Sequence, residues 1–168
     1  MSATLSYEDA VDLLDADHKL VQKMFIDYLA LAEDGAPAEA RRALALKICQ
    51  DLTVHTQVEE EIFYPRVREA IGNDGLMDEA LLEHAEAKKM IARILGMTPK
   101  DEGYDDTVKQ LFTAVMDHVL EERERIFLEA RYSTADLRGM VPELYARKKE
   151  LQTGTPEPAP AGKKKVAS

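Results

Sequence analysis

Cysteine and glycine are both scarce in this sequence of 168 residues, which contains one cysteine and eight glycines. Because Cys49 has no second cysteine to pair with, the chain cannot form an internal disulfide. Cys49 stands within an amphipathic helical pattern, which favours an inert buried thiol over a nucleophile. A free thiol suits a reducing compartment, and we therefore expect a cytoplasmic protein. The few glycines mostly interrupt helical periodicities, which predicts an all-α fold.

The sequence also shows no pattern typical of a secretory leader or a membrane span. Its first residues contain neither a basic segment nor an apolar stretch. No apolar run approaches the roughly 20 residues that a membrane helix needs. Acidic residues outnumber basic ones by 32 to 22, which gives a formal net charge of -10. We therefore expect neither nucleic acid nor a membrane as a partner.

A pairing of histidine with glutamate occurs twice. The spacing His-x-x-x-Glu joins His55 to Glu59 and, further along the chain, His118 to Glu122. Residues four apart on a helix share a face, so each pair directs an imidazole and a carboxylate to the same point. Two such segments can hold a pair of metal ions.

These polar residues stand where the helical patterns require apolar ones. Stripes with alternating spacings of three and four run along four predicted helices, and each stripe contains one of the four histidines of the chain. The polar stripe positions are His18, His55, Glu59, His84, His118 and Glu122. A lone histidine in such a stripe is more often an ordinary hydrogen-bonded core residue. Burying all of these groups is costly unless each finds a partner, so together they favour a shared metal centre.

Turns that contain glycine or proline divide the chain into four long helices. The first helix ends near Glu33, the second spans about residues 38–71, the third ends near Leu95, and the fourth spans about residues 105–132. At about 1.5 Å per residue, the distances from each turn to the polar positions agree within about one helical turn. This agreement predicts an up-down-up-down four-helix bundle with its polar groups at one level. Pro65 predicts a kink or a local widening in the second helix.

The C-terminal part of the chain is expected to differ from the bundle. A short fifth helical segment is predicted to open at residues 133–136, to be interrupted or restarted by Pro142, and to end near Leu151. We therefore predict a domain at residues 1–151 and a disordered tail rich in Pro, Ala and Lys at residues 152–168. Lys163, Lys164 and Lys165 are candidates for a weak acidic partner, although tail lysines are more often simply solvated.

The polar positions also resemble a known family. Their order, His, His-x-x-x-Glu, His, His-x-x-x-Glu, is similar to that of bacterial haemerythrin-like proteins with an HHE cation-binding domain. The similarity covers about residues 8–132 and extends to Glu60-Glu61, Phe63-Tyr64-Pro65 and Glu83. It implies a four-helix bundle with a non-haem di-iron centre, which is usually bridged by two carboxylates and an oxygen-derived ligand.

The ligand types agree with such a centre without selecting its metal. Imidazole and carboxylate suit iron, but they also suit manganese and zinc. Our hypothesis is that His18 and His55 bind one metal ion, and that His84 and His118 bind the other. Glu59 and Glu122 are expected to bridge them. The expected cofactor is two iron ions with an oxo or hydroxo bridge, and manganese and zinc stay open.

The chain departs from the oxygen-carrying haemerythrins that it resembles. Those proteins have an extra histidine four residues from the one on the third helix, where this chain has Ala80 and Lys88, and an acid where it has Arg123. A set of six ligands instead of seven leaves open or solvent-filled positions, which disfavours reversible oxygen transport. Asp15 and Glu86 are candidates for a further ligand, although both lie off the best angles on their helices.

The expected function is sensing or redox detoxification of O2, peroxide or NO at this centre. Iron binding or storage remains an alternative, and so does a catalase-like enzyme that consumes peroxide. A ferritin-like carboxylate bundle is disfavoured, because it would show Glu-x-x-His motifs instead of His-x-x-x-Glu.

Overall fold

The computed structural model describes residues 7–154, and this part of the chain is an up-down-up-down four-helix bundle with a fifth helix on its side. The α-helices are α1 (Ala10–Glu33), α2 (Ala38–Val58), α3 (Tyr64–Ile71), α4 (Asp74–Leu95), α5 (Tyr104–Glu121), α6 (Phe127–Arg131) and α7 (Met140–Gly154). Two π-helical turns join some of these helices into longer continuous segments. The first π-turn (Glu59–Phe63) joins α2 to α3, and the second π-turn (Glu122–Ile126) joins α5 to α6. The predicted fold class is confirmed.

Local sequence signals explain where the long helices begin and end. The carboxylate of Asp9 accepts a hydrogen bond from the Asp12 amide at 2.9 Å and caps α1. Asn73 caps α4 in the same way through the Leu76 amide. Gly72 ends α3 with a φ of 65°, a left-handed conformation that glycine adopts without steric cost.

The widening predicted at Pro65 is present as the first π-turn. The Tyr64 amide donates to the carbonyl of Glu59, five residues back, where an α-helix would use the residue four back. The second π-turn was not predicted, because no proline marks it. There the Phe127 amide donates to the carbonyl of Glu122. Each π-turn thus begins at the glutamate of a His-x-x-x-Glu motif.

Two apolar clusters fill the bundle and leave a polar layer between them. The first apolar cluster lies toward α7 and includes Leu14, Phe63, Met77, Ile126 and Leu144. The second apolar cluster lies toward the opposite end and includes Phe25, Ile48, Ile94, Leu111 and Val115. Burial of these side chains stabilises the bundle, so the polar layer is held between two apolar cores.

The fifth helix differs in detail from the prediction. It begins at Met140 with Pro142 in its first turn, which agrees with a restart at this proline. It continues to Gly154, three residues beyond the predicted end at Leu151. The rest of the predicted tail, including Lys163 to Lys165, lies outside the described residues. Across residues 7–154, no helix combines the length and the apolar character that a membrane crossing requires.

Candidate metal centre

All the predicted site residues meet in the polar layer, and all are buried. The side chains of Glu59 and Glu122 are completely inaccessible to solvent. The ring centroids of His18 and His55 lie 4.8 Å apart, and those of His84 and His118 also lie 4.8 Å apart. We call the first histidine pair the α1–α2 half of the centre and the second pair the α4–α5 half.

Each glutamate lies between the two halves. The oxygens of Glu59 lie 3.3 Å from His55 Nε2 and 3.1 Å from His84 Nε2. One oxygen of Glu122 lies 3.1 Å from Nε2 of His18 and 3.6 Å from Nε2 of His118. Both carboxylates therefore stand where a bridge between two metal positions would lie, which is the arrangement that the pairing hypothesis requires.

Several of these close contacts are not aligned as hydrogen bonds. The Nε2 atoms of His18 and His55, both carboxylate oxygens of Glu59 and one oxygen of Glu122 are buried without a hydrogen-bond partner among the described residues. A buried polar atom without a partner costs about 1–3 kcal/mol. A cation between these atoms would satisfy them all, and imidazole with carboxylate is a donor set that iron, manganese and zinc accept. The residues present thus fit a bound metal.

Tyr64 is a site residue that the sequence analysis missed as a functional group. Its hydroxyl donates to Glu122 at 2.6 Å and lies 3.3 Å from Nε2 of both His84 and His118. The π-turn explains this placement, because a π-helical turn brings the residue five positions after Glu59 onto the same face. Pro65, the signal for this widening, could have indicated Tyr64. Its hydroxyl stands beside the α4–α5 half, where the six-ligand set lacks a further donor.

Each histidine of the layer also contacts, through its Nδ1 atom, a carboxylate outside the proposed ligand set. We call these groups the outer carboxylates. Asp15 lies 3.0 Å from His18, and Asp17 lies 2.9 Å from His55. In the α4–α5 half, Glu60 lies 2.7 Å from His84 and Glu83 lies 2.6 Å from His118. Such contacts orient the rings and leave each Nε2 lone pair free to bind a metal.

The other acids near the histidines in the sequence fall into two groups. Asp15 and Glu60 are outer partners of site histidines. Glu61, Glu86 and Glu121 instead pair with surface cations, namely Arg147, Lys89 and Arg125. Glu86 therefore supplies no further ligand. Sequence reasoning did not assign Asp17 or Glu83 to the centre, although each directly precedes a site histidine.

Cations hold three of the outer carboxylates. Arg123 contacts Asp15 at 2.6 Å, and Lys148 of α7 contacts Asp17. Lys88, four residues after His84 on α4, contacts Glu60 at 3.0 Å.

Histidine and carboxylate groups stabilise one another's charged forms in this layer. Burial alone would lower the pKa of His84, but contacts with Glu59 and Glu60 raise it to about 9. Despite burial, His55 and His84 hold the pKa of Glu59 well below its ordinary value. The metal-free centre therefore favours imidazolium–carboxylate pairs. A metal can bind only as the histidines lose their protons, so its binding releases protons.

A cavity of about 70 Å³ lies against all four histidines of the layer. Apolar side chains of the second apolar cluster line it, including Val21, Leu52, Ile91 and Val115. Lys148 and Gln152 of α7 also form part of its wall. Since about 10–15 Å³ of such volume is enough for one water molecule, the cavity has room for small molecules beside the histidines.

The fold and the buried layer together define a metal-binding helical bundle with a histidine and glutamate ligand set. The model of the hemerythrin HHE cation binding domain family matches residues 9–130, and the chain belongs to this family. The resemblance predicted from the sequence is thereby confirmed.

Two known proteins are similar to this chain. One is named a DNA nickase, from Nostoc sp. (strain PCC 7120 / SAG 25.82 / UTEX 2576); it is 32% identical over 143 residues, which cover 84% of this chain and 39% of that protein. The chain thus spans about two fifths of the relative's length. The other is the crystal structure of a hemerythrin HHE cation binding domain-containing protein, the Rv2633c homolog from Mycobacterium kansasii. It has a TM-score of 0.72 and 20% identity, with coverage of 87% of this chain and 88% of that chain, and shows the shared fold.

Proposed function

We propose that this protein holds two non-haem iron ions between its histidine pairs and uses them to sense or detoxify O2, peroxide or NO. The observation that carries the proposal is a pair of adjacent clusters of histidine and glutamate ligand atoms. In one cluster the Nε2 atoms of His18 and His55 and the oxygens of Glu59 are buried without a hydrogen-bond partner among the described residues. The donor set also accepts manganese or zinc, but only iron among these readily supplies redox chemistry toward all three small molecules.

The residues of this chain would have separate roles at the centre. His18 and His55 would hold one ion, His84 and His118 the other, and the two glutamates would bridge them. The outer carboxylates keep the Nδ1 side of each ring occupied, so that Nε2 is the free donor. Bound iron would supply a redox-active centre that binds small oxygen and nitrogen species.

Tyr64 supports reactivity over simple oxygen transport. Its hydroxyl is the proton donor nearest the α4–α5 half, at 2.6 Å from Glu122. Burial and the adjacent carboxylates raise the pKa of Tyr64 well above its ordinary value, so the proton stays on the hydroxyl. There it can donate a hydrogen bond to a reacting molecule beside the centre. The cavity next to the histidines, at about 70 Å³, suits molecules of the size of O2, H2O2 or NO.

Metal content per chain, measured by elemental analysis together with the near-ultraviolet and visible spectrum, tests the proposal. We expect about two irons per chain and absorption bands typical of an oxo-bridged ferric pair. A folded protein that takes up no metal from ferrous iron supplied without oxygen would refute it. The polar layer would then be a hydrogen-bonded core network.

Peroxide consumption by the iron-loaded protein separates the two alternatives. Sustained turnover that is lost in the His84→Ala variant would assign a catalase-like enzyme. Negligible turnover, with a spectral change on exposure to O2 or NO, would favour sensing. Iron uptake without either response would favour iron binding or storage.

The name of the Nostoc relative does not extend the proposal to DNA cleavage. This chain spans 39% of that protein, and its net charge of -10 disfavours a nucleic-acid substrate. We expect iron-loaded protein to leave a supercoiled plasmid intact. We further propose that the protein acts in the cytoplasm, where the buried thiol of Cys49 stays reduced.

A further inference from the structure

Helix α7 forms ion pairs with the bundle within the first π-turn and just after it. Arg147 of α7 contacts both oxygens of Glu61, at 2.8 and 3.2 Å, within this π-turn. Glu143 of α7 accepts a hydrogen bond from Arg66, just beyond the turn, at 2.7 Å. Ion pairs therefore connect α7 to the segment that contains Glu59.

One side chain of α7 reaches farther, toward a predicted metal ligand. The ammonium group of Lys148 contacts one oxygen of Asp17, and the other oxygen of Asp17 lies 2.9 Å from His55 Nδ1. The Asp17 side chain is only 13% exposed, so water screens this chain of contacts weakly. Lys148 also forms part of the wall of the cavity beside the histidines.

The α4–α5 half has a cation on only one of its outer carboxylates: Lys88 holds Glu60, but Glu83 has no counterpart of Lys148 among residues 7–154. His118 contacts Glu83 as His55 contacts Asp17, but among residues 7–154 no cation lies within ion-pair distance of Glu83. The carboxylate of Glu83 instead lies near those of Glu79 and Glu121, with oxygens within 4.8 Å of one another. Like charges at this distance repel, so Glu83 is held less firmly than Asp17.

We propose that Lys148 is a positioning residue for His55, acting through Asp17, and that it makes the two metal positions unequal. The α1–α2 position holds its metal longer than the α4–α5 position. This inference rests on the proposed two-metal function and adds to it the control of metal retention by α7.

The physical reason lies in the freedom of the His55 ring. While Lys148 holds one oxygen of Asp17, the carboxylate is fixed and its other oxygen faces His55 Nδ1, so Nε2 points at the metal position. Without the ammonium group, Asp17 can turn toward solvent and the ring can rotate away from the metal. Outer partners of this kind typically change metal affinity by about 10–100-fold.

Metal release to a chelator tests the proposal. Protein loaded with two ferrous ions without oxygen is mixed with excess ferrozine, and the coloured ferrous complex is followed over time. We expect two release phases of equal amplitude in the wild type. Lys148→Met keeps the length of the side chain and removes its charge, and it should speed the slow phase by about tenfold or more.

Two matched variants distinguish positioning from general loosening of the bundle. Lys148→Arg keeps the charge and should restore slow release. Lys149→Met removes the next lysine of α7, which lies over the Tyr145 ring at 5.8 Å, and should leave both phases unchanged. Loss of bundle stability would speed both phases, whereas loss of positioning speeds only the slow one.

The outcomes separate this inference from the proposed function. Two ions that leave the wild type in a single phase, or a slow phase that Lys148→Met leaves unchanged, would overturn the role of Lys148 and keep the two-metal function. A wild type that binds no ferrous iron would overturn both.

Discussion

The two halves of the centre share one backbone design and differ in what surrounds it. In each half a histidine on one helix faces a His-x-x-x-Glu motif on the next, and a π-turn begins at the glutamate. We call this repeated backbone arrangement the frame. It places equivalent candidate ligands in both halves. The side chains around the frame are not repeated, so two histidine pairs with the same kinds of candidate ligand have different surroundings.

The residue after each π-turn shows this difference most clearly. Tyr64 follows the first π-turn and stacks on His84, with ring centroids 5.2 Å apart. Phe127 follows the second π-turn and stacks on His18 at 5.7 Å. The aromatic rings pack alike, but only Tyr64 adds a hydroxyl. The histidine and glutamate positions are thus repeated in both halves, whereas the hydroxyl is present in only one.

Removal of a bridging glutamate should have the largest effect on this comparison. We expect Glu59→Ala and Glu122→Ala each to lose both metals, because each carboxylate lies against histidines of both halves. Removal of such a ligand should lower the metal affinity by more than the roughly 10–100-fold that follows removal of an outer partner. Elemental analysis of the purified variants measures the result.

Single histidine variants provide the matched control for the glutamates. His18→Ala and His84→Ala each remove a ligand from one half only, so each should retain close to one metal per chain. If Glu59→Ala also retained one metal, its carboxylate would belong to one half and would not be a bridge. Circular dichroism should show helical protein in every variant.

The metal-free protein should lose stability between about pH 6.5 and 9 as His84 deprotonates. The pKa of His84 is raised from 6.5 to about 9, since the adjacent carboxylates outweigh the effect of burial. A raised histidine pKa contributes stability below the unfolded value of 6.5, and this contribution is lost as the pH rises through 9. The loss from His84 is about 3 kcal/mol at most. Urea unfolding at pH 6 and pH 9.5 measures it.

The outer partner of His84 offers a control for this pH dependence. Glu60→Gln removes one of the carboxylates that raise the pKa of His84. The variant should therefore show a smaller loss of stability over the same pH range. An unchanged loss would mean that other groups cause the pH dependence.

Exchange of the two aromatic residues would move the hydroxyl from one half to the other. Tyr64→Phe removes the buried 2.6 Å hydrogen bond to Glu122, and a bond to a charged acceptor contributes about 1.5–3 kcal/mol. We expect this loss in the unfolding free energy of the metal-free variant, measured with urea. The double variant Tyr64→Phe with Phe127→Tyr should regain part of it, because the equivalent π-turn directs the new hydroxyl toward Glu59.

The spectrum of the iron-loaded variants supplies a second test of the aromatic pair. Tyr64→Phe should change the visible bands, whereas Leu120→Ala, an exposed position on α5, should leave them unchanged. Identical spectra of Tyr64→Phe and wild type would place the hydroxyl outside the influence of the metal.

The helices and the polar layer could be predicted because they depend on local periodicity. Turn residues predicted the helix ends at Glu33, Ile71 and Leu95, and the structure places them there. The stripe pattern identified polar groups that the structure places in one buried layer. Helical spacing and the length of each helix suffice for both predictions, since neither requires knowledge of how side chains meet across helices.

The groups around the layer could not be predicted in the same way. Asp17 and Glu83 each precede a site histidine and therefore point about 100° away from it, toward the neighbouring helix. Only the packing of the helices shows that they contact His55 and His118. The second π-turn has no proline to mark it, so the position of Phe127 also required the structure.

The cations on the outer carboxylates should produce the smallest difference between the halves. Arg123 holds Asp15 with a side chain 34% exposed, whereas Lys88 holds Glu60 with a side chain 53% exposed. Ion pairs exposed to water contribute about 0–1 kcal/mol, and more water around Lys88 weakens its pair further. We therefore expect Arg123→Met to lower the unfolding free energy by up to about 1 kcal/mol, and Lys88→Met by less. Salt should reduce both effects, since ions screen exposed charges. A larger effect of Lys88→Met, measured by urea unfolding at low salt, would show that the α4–α5 half depends on its cation more than exposure indicates.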